Sequence, residues 1–337
     1  MHFPYINIQW LLVLALLTPL SSQAGEGVLD HLFGREAPSE RPIETKDPGV
    51  PLKATPAPQL FRPGTREFDL NQASIMAWLS YIAYYKRPDG TPDMERIRSE
   101  LAPWGPIQVE PIDAHPVQGF IIKGRGFAVV VFRGSDERDD WLDNFEAMYI
   151  GNTKHVGLGR PAQLRHQKMI KEPKHDLHAG FYQQFTKAHD GVLSQLKGYE
   201  KSKVWFTGHS LGGALTTIFA RDFHARHGFE DVGVYTFGAP RPGSRNLANY
   251  FVDNKIPAYR VEFGADPVPT LPDLIRFRPV GELIHIKENK NGECVQVQES
   301  NAMARYRTLK THLSAAFNAS DHSMGNYVNC LMAIPRQ

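Results

Sequence analysis

Residues 204–214 read Val204-Trp205-Phe206-Thr207-Gly208-His209-Ser210-Leu211-Gly212-Gly213-Ala214. The first four are apolar or β-branched, the composition of a buried strand. A G-x-S-x-G pattern follows, and then Ala214, Leu215, Ile218, Phe219 and Phe223 recur at helical spacing. A serine on so tight a strand-to-helix turn projects its hydroxyl from the backbone, and the glycines let the turn close against its neighbours. The five-residue pattern alone is common. With a strand before it and a helix after it, Ser210 becomes a candidate nucleophile.

Outward from this turn, strand and helix patterns alternate. Helices are expected over 68–85, where Ile75, Leu79, Ile82 and Ala83 share a stripe, over 181–196 and over 210–226. Strands are expected at 119–122, 127–132, 204–207, 232–237 and 259–263. Phe127-Ala128-Val129-Val130-Val131-Phe132 is apolar throughout, as in a strand buried on both faces. This alternation predicts an α/β fold with a central, mostly parallel sheet flanked by helices, in a single catalytic domain.

A serine nucleophile needs a base, and the base needs an orienting acid. In the order Ser…Asp…His both lie downstream. His285 alternates with Leu283 and Lys287 in a strand, which suits a solvated or structural histidine. His312 lies in a helical pattern beside Leu309 and Leu313. His322, in the polar loop Asn318-Ala319-Ser320-Asp321-His322-Ser323, is the favoured base. For the acid, Asp222, Asp231 and Asp253 fall on or beside helices and strand starts. Asp266 follows the strand ending at Phe263, where ligands of parallel sheets gather, and is favoured over its competitor Asp273.

These residues resemble the fungal-type class 3 lipases, a family of α/β-hydrolases. Five segments carry the resemblance in order: Val130-Val131-Phe132-Arg133-Gly134-Ser135 with Trp141 after it; His178-Ala179-Gly180-Phe181; the elbow around Ser210; Thr236-Phe237-Gly238-Ala239-Pro240-Arg241-Pro242-Gly243; and Asp266-Pro267-Val268-Pro269 with Asp321-His322. The resemblance implies Ser210, His322 and Asp266 as a triad that forms an acyl-enzyme. It implies an oxyanion hole from the backbone N–H groups of Ser135 and Leu211, and a lid over 136–148 carrying Trp141, Leu142 and Phe145. It implies hydrolysis of lipid carboxylic esters, as by a triacylglycerol lipase, with transient contact to a lipid interface. A phospholipase A1 or monoacylglycerol-type enzyme, a non-lipid acyl esterase and a non-enzymatic lipid-binding protein are the alternatives. No cofactor and no metal are expected.

The rest of the chain frames this domain. Residues 1–24 carry an apolar run from Trp10 to Leu20 and then Ser22-Gln23-Ala24, the pattern of a cleaved signal peptide. Export to a secreted or periplasmic location is expected, with an uncleaved membrane anchor as the alternative. Pro38, Pro42, Pro48, Pro51, Pro56, Pro58 and Pro63 make 25–66 an extended tether, or a strap across the domain surface. The catalytic domain then occupies 67–337. With 38 basic against 36 acidic residues, the net charge of +2 gives no reason to expect nucleic acid. The balance hides a basic stretch at 151–175 with six lysines and arginines against Glu172. Cys294 and Cys330 are the only thiols and, in an exported chain, candidates for a disulfide. Asn318-Ala319-Ser320 is a glycosylation sequon.

Overall fold

A computed structural model describes residues 50–135, 169–172, 175–272, 277–299, 303 and 319–336. The strands among them are β1 (Gln108–Ala114), β2 (Val117–Gly124), β3 (Phe127–Phe132), β4 (Met169–Glu172), β5 (His175–His178), β6 (Lys203–His209), β7 (Asp231–Phe237), β8 (Ala258–Phe263), β9 (Glu282–Glu288) and β10 (Cys294–Val297). All but β4 and β5, which pair as a small ribbon, join one sheet in the order β1-β2-β3-β6-β7-β8-β9-β10. The run β3 to β9 is parallel. The outer pairs β1/β2, β2/β3 and β9/β10 are antiparallel. β1 escaped the sequence reading because it is a polar edge strand interrupted by Pro111, with a single buried residue, Ile112.

The helices are α1 (Leu70–Ile82), α2 (Met94–Leu101), α3 (Ala179–Gln195), α4 (Leu211–Arg226), α5 (Arg245–Asp253) and α6 (Met324–Ala333). Alternate strand residues feed two cores. Val129 and Val131 of β3, Trp205 of β6 and Tyr235 of β7 face α1 and α6. Ala128, Val130 and Phe132, with Val204, Phe206 and Val234, face α3, α4 and α5. The continuous apolar runs seen in the sequence follow from this two-sided burial.

α1 departs from the expected amphipathic stripe. Every residue from Gln72 to Ile82 is buried, because the helix lies between the sheet and α6. Its polar side chains are accommodated internally. Asp69 caps it through Gln72 N, and Ser80 Oγ donates to Met76 O at 2.9 Å and sits 3.1 Å from Thr207 Oγ1 on β6.

The described end of the proline-rich stretch runs along this same layer. Phe61 packs on Trp104 and Phe127, and Trp205 Nε1 donates to Pro63 O at 2.8 Å. Lys53 N donates to Asn329 Oδ1, and Asn329 Nδ2 returns a bond to Pro51 O. Residues 50–66 are therefore a strap held on α6 and β6. Cys294 on β10 and Cys330 on α6 form a disulfide, with 5.2 Å between their Cα atoms.

Candidate active site

The parallel strands β3, β6, β7 and β8 all end on one side of the sheet; Ser135, Ser210 and Asp266 come from the segments that follow β3, β6 and β8, and His322 from the turn before α6. Ser210 closes β6 and precedes α4 with φ 55° and ψ −129°, a left-handed conformation rare outside glycine. Such a turn tolerates no bulk beside it. A Cβ on Gly212 would run into Phe132 O and come within 2.8 Å of Arg133 O on the neighbouring strand end. Ser210 N donates to Phe237 O, which ties the elbow to β7.

Asp266 and His322 come together as expected. His322 Nδ1 lies 2.8 Å from Asp266 Oδ2, and both side chains are almost wholly buried. A carboxylate only accepts, so Nδ1 carries the proton and Nε2 keeps its lone pair. The other carboxylate oxygen, Oδ1, accepts from Val268 N at 2.9 Å. Tyr327 Oη donates to Oδ2 at 2.5 Å. Burial, and then the charge of Asp266, push the Tyr327 phenol well above its ordinary value, so it remains a donor.

Asp321 and His285 fix the loop that carries the acid. Asp321 Oδ2 accepts from Ala265 N at 2.8 Å. Burial, then the neighbouring charges of Asp266 and Glu288, raise the Asp321 carboxyl above its usual range. His285 is a buried structural histidine, its Nε2 3.0 Å from Gly264 O and its Nδ1 2.8 Å from Glu299. Beside the nucleophile, the His209 ring packs on that of His322 with centroids 4.4 Å apart. Burial, with a smaller electrostatic contribution from the neighbouring His322 ring, holds His209 well below the ordinary histidine value. Neutral His209 therefore donates Nε2–H to His322 O at 2.9 Å, and its Nδ1 accepts from Tyr84 Oη at 2.7 Å.

The chain after β3 passes alongside Ser210: a Cβ on Gly134 would lie 3.1 Å from Ser210 Cβ. Ser135 follows at the surface. Leu211 opens α4, and the first amides of a helix have no partner within it. Gly238, at φ 54°, lines the acid and base. A Cβ there would stand 2.6 Å from Asp266 Oδ2 and 3.0 Å from His322 Nδ1. Sequence reasoning named neither Gly238 nor Tyr327 as functional. Tyr327 was detectable only as a polar ring one helical turn beyond His322. Asp273, His312, Trp141, Leu142, Phe145, Asn318 and, of the basic stretch 151–175, residues 151–168 and 173–174 lie outside the described residues. Asp222 sits twelve residues along α4 from Ser210, about 18 Å, and takes no part here.

Residues 129–275 match the family described as lipase (class 3). This segment belongs to the class 3 lipase family. A lipase from Rhizomucor miehei is 30% identical over 201 residues, which span 55% of this chain and 50% of that protein. The secreted mono- and diacylglycerol lipase 1 of Fusarium solani is 33% identical over 151 residues, 44% of this chain and 40% of that protein. The chain thus spans half or less of the length of these curated relatives. The solved triacylglyceride lipase of Rhizomucor miehei superposes with a TM-score of 0.55 at 24% identity, over 78% of this chain and 96% of that one. That likeness, with the mostly parallel eight-stranded sheet, makes this an α/β-hydrolase fold.

Proposed function

We propose that this chain is a serine hydrolase that cleaves carboxylic ester bonds of lipids. The observation that carries the reading is the buried His322–Asp266 pair at the same sheet end as the strained elbow serine. Ser210 Oγ attacks the ester carbonyl carbon while His322 Nε2 takes its proton. The tetrahedral oxyanion is held by the N–H groups of Ser135 and Leu211, the latter reinforced by the positive end of α4. Collapse breaks the C–O bond, and His322 returns the proton to the departing alcohol. Water, deprotonated by His322, then hydrolyses the acyl-enzyme and frees Ser210. Asp266 stabilises the imidazolium in both halves, oriented by Tyr327 and Val268 N.

Lipid substrates are supported by the family of residues 129–275 and by relatives named as lipases. Lid movement by 136–148 and contact with a lipid interface belong to the same proposal. Export by the leader at 1–24 is supported by relatives named as secreted. Among the described residues no helix is long and apolar enough to cross a membrane.

The test joins active-site labelling with substrate profiling. A fluorophosphonate probe should label wild type and leave Ser210→Ala unlabelled. p-Nitrophenyl esters of graded chain length should turn over, with loss of at least about 1,000-fold in Ser210→Ala. Emulsified triacylglycerol, monoacylglycerol and phospholipid then rank the substrates. Labelling without turnover of any ester or lipid would overturn the lipid assignment. Absence of labelling would overturn the nucleophile.

A further inference from the structure

On the face of the sheet covered by α3 and α4, three ligand-type side chains converge that the ester chemistry does not use. His189 belongs to α3, Asp222 to α4, and His227 caps the C-terminus of α4. His189 Nε2 is 3.0 Å from Asp222 Oδ2, and His227 Nε2 is 3.1 Å from the same oxygen. The two Nε2 atoms are themselves 3.2 Å apart. We propose that His189, Asp222 and His227 form a binding site for a divalent transition metal of the zinc class, which clamps α3 to α4.

The spacing is the first argument. Zinc bonds nitrogen and carboxylate oxygen at about 2.0–2.1 Å, and the edge of a tetrahedron with that radius is about 3.3–3.4 Å. The three donor atoms form a nearly equilateral triangle close to that edge length. Hydrogen bonding alone accounts for it less well. If both Nε2–H groups point at the one oxygen, they gain no bond to each other yet are crowded together. If one ring accepts from the other, it gives up Asp222.

The surroundings hold two of the three donors, His189 and Asp222, in the state a metal requires. His189 Nδ1 is 2.7 Å from Asp190 Oδ1, so the proton sits on Nδ1 and Nε2 presents its lone pair. The second oxygen of Asp222, Oδ1, lies 3.2 Å from Arg226 Nη1, which leaves Oδ2 as a single-oxygen ligand. Two arginine charges oppose a dication, Arg226 and, 3.8 Å from the same Oδ1, Arg221; the carboxylates of Asp222 and Asp190 balance them, so binding rests on the coordination bonds. Aromatic packing fixes the rings. His189 lies 5.0 Å from the Phe185 ring and 6.0 Å from Phe223, and His227 is 5.7 Å from Phe223. Asp222 is buried, whereas the His189 and His227 side chains are 18% and 26% exposed. A metal would thus be held from the protein side with its fourth position open to water. Two imidazoles and one carboxylate suit Zn²⁺, and Co²⁺ as its spectroscopic substitute.

The full chain, stripped with EDTA and dialysed, is titrated with ZnCl₂ and separately with CoCl₂. At about a hundred-fold excess over Kd, Zn²⁺ should raise Tm by about 5 °C, and Co²⁺ should develop the visible bands of a tetrahedral complex. His189→Gln and His227→Gln, singly, should abolish both responses while fluorophosphonate labelling of Ser210 proceeds at the wild-type rate. These two surface-facing variants avoid the buried Asp222. No shift and no bands in wild type would overturn the site. Responses that persist in both variants would overturn it equally, assigning the metal to other histidines.

Discussion

One residue that constrains the candidate acid and base carries no side chain. Gly238 takes φ 54° at the end of β7, and the space a Cβ would fill is occupied by Asp266 Oδ2, Tyr327 Oη and His322 Nδ1. Alanine can adopt a left-handed conformation at modest cost, so backbone strain is the smaller effect. Displacing the acid or the base is the larger one, since a shift of about 1 Å in a reacting group costs about 100-fold in rate. Gly238→Ala should therefore lower kcat on a p-nitrophenyl ester by about 100-fold and slow fluorophosphonate labelling, while KM moves much less. A kcat within a factor of two of wild type would show that the pair does not need this gap. The sequence made Gly238 visible only as one letter of a matched segment. Its role depends on which side chains fold against it, and no local pattern encodes that.

Elements were legible where their pattern is local. The parallel strands announced themselves as apolar runs, and the elbow as strand, glycine turn and helix. β1 and α1 mark the limits: one is polar because it lies at the edge, the other uniformly buried because a second helix covers it. His322 was separable from His285 by its loop setting, yet the reason His285 is not the base is three-dimensional. Its two nitrogens are turned to Gly264 O and Glu299. The metal-type trio was illegible for the same reason, because 33 residues separate His189 from Asp222. The Cys294–Cys330 bond was a candidate from composition alone, and it matters at this scale because it anchors α6, which begins just after His322. Closing a loop across a separation of 36 residues stabilises by about 4 kcal/mol through the entropy of the unfolded chain. Cys294→Ser with Cys330→Ser should lower stability by about 2–4 kcal/mol in chemical denaturation and weaken turnover at temperatures where wild type is fully active. Equal denaturation midpoints would show that α6 is held by packing and the strap alone.

Across the described sheet, the ester chemistry and a buried lysine–aspartate pair occupy opposite ends. Ser210, Asp266 and the segment at Gly134 follow the carboxyl ends of β6, β8 and β3, whereas Lys203 opens β6 at the far end. From Lys203 to His209 the strand runs about 20 Å at about 3.3 Å per residue. The Lys203 ammonium is buried, 2.8 Å from Asp231 Oδ1 and 4.4 Å from the Trp205 ring centroid. Asp231 also pairs with Arg66 from the strap. Burial lowers the Lys203 pKa, and Asp231 only partly restores it. With the folded value below the unfolded one, the unfolded chain binds more protons in the window beneath 10.5, so stability rises with pH there. Three outcomes follow from one cause. Lys203→Met should flatten the alkaline rise in stability and leave neutral stability equal or slightly higher, as apolar replacement of a buried charge does. Asp231→Ala should cost about 2 kcal/mol at neutral pH, less than for a fully buried pair because Asp231 is 39% exposed. Neither change should alter kcat at 25 °C, since no group within reach of Ser210 moves. Denaturant midpoints from pH 7 to 10, set beside kcat on one ester, check all three. A fall in kcat that tracks the loss of stability would mean that the two ends of the sheet are coupled.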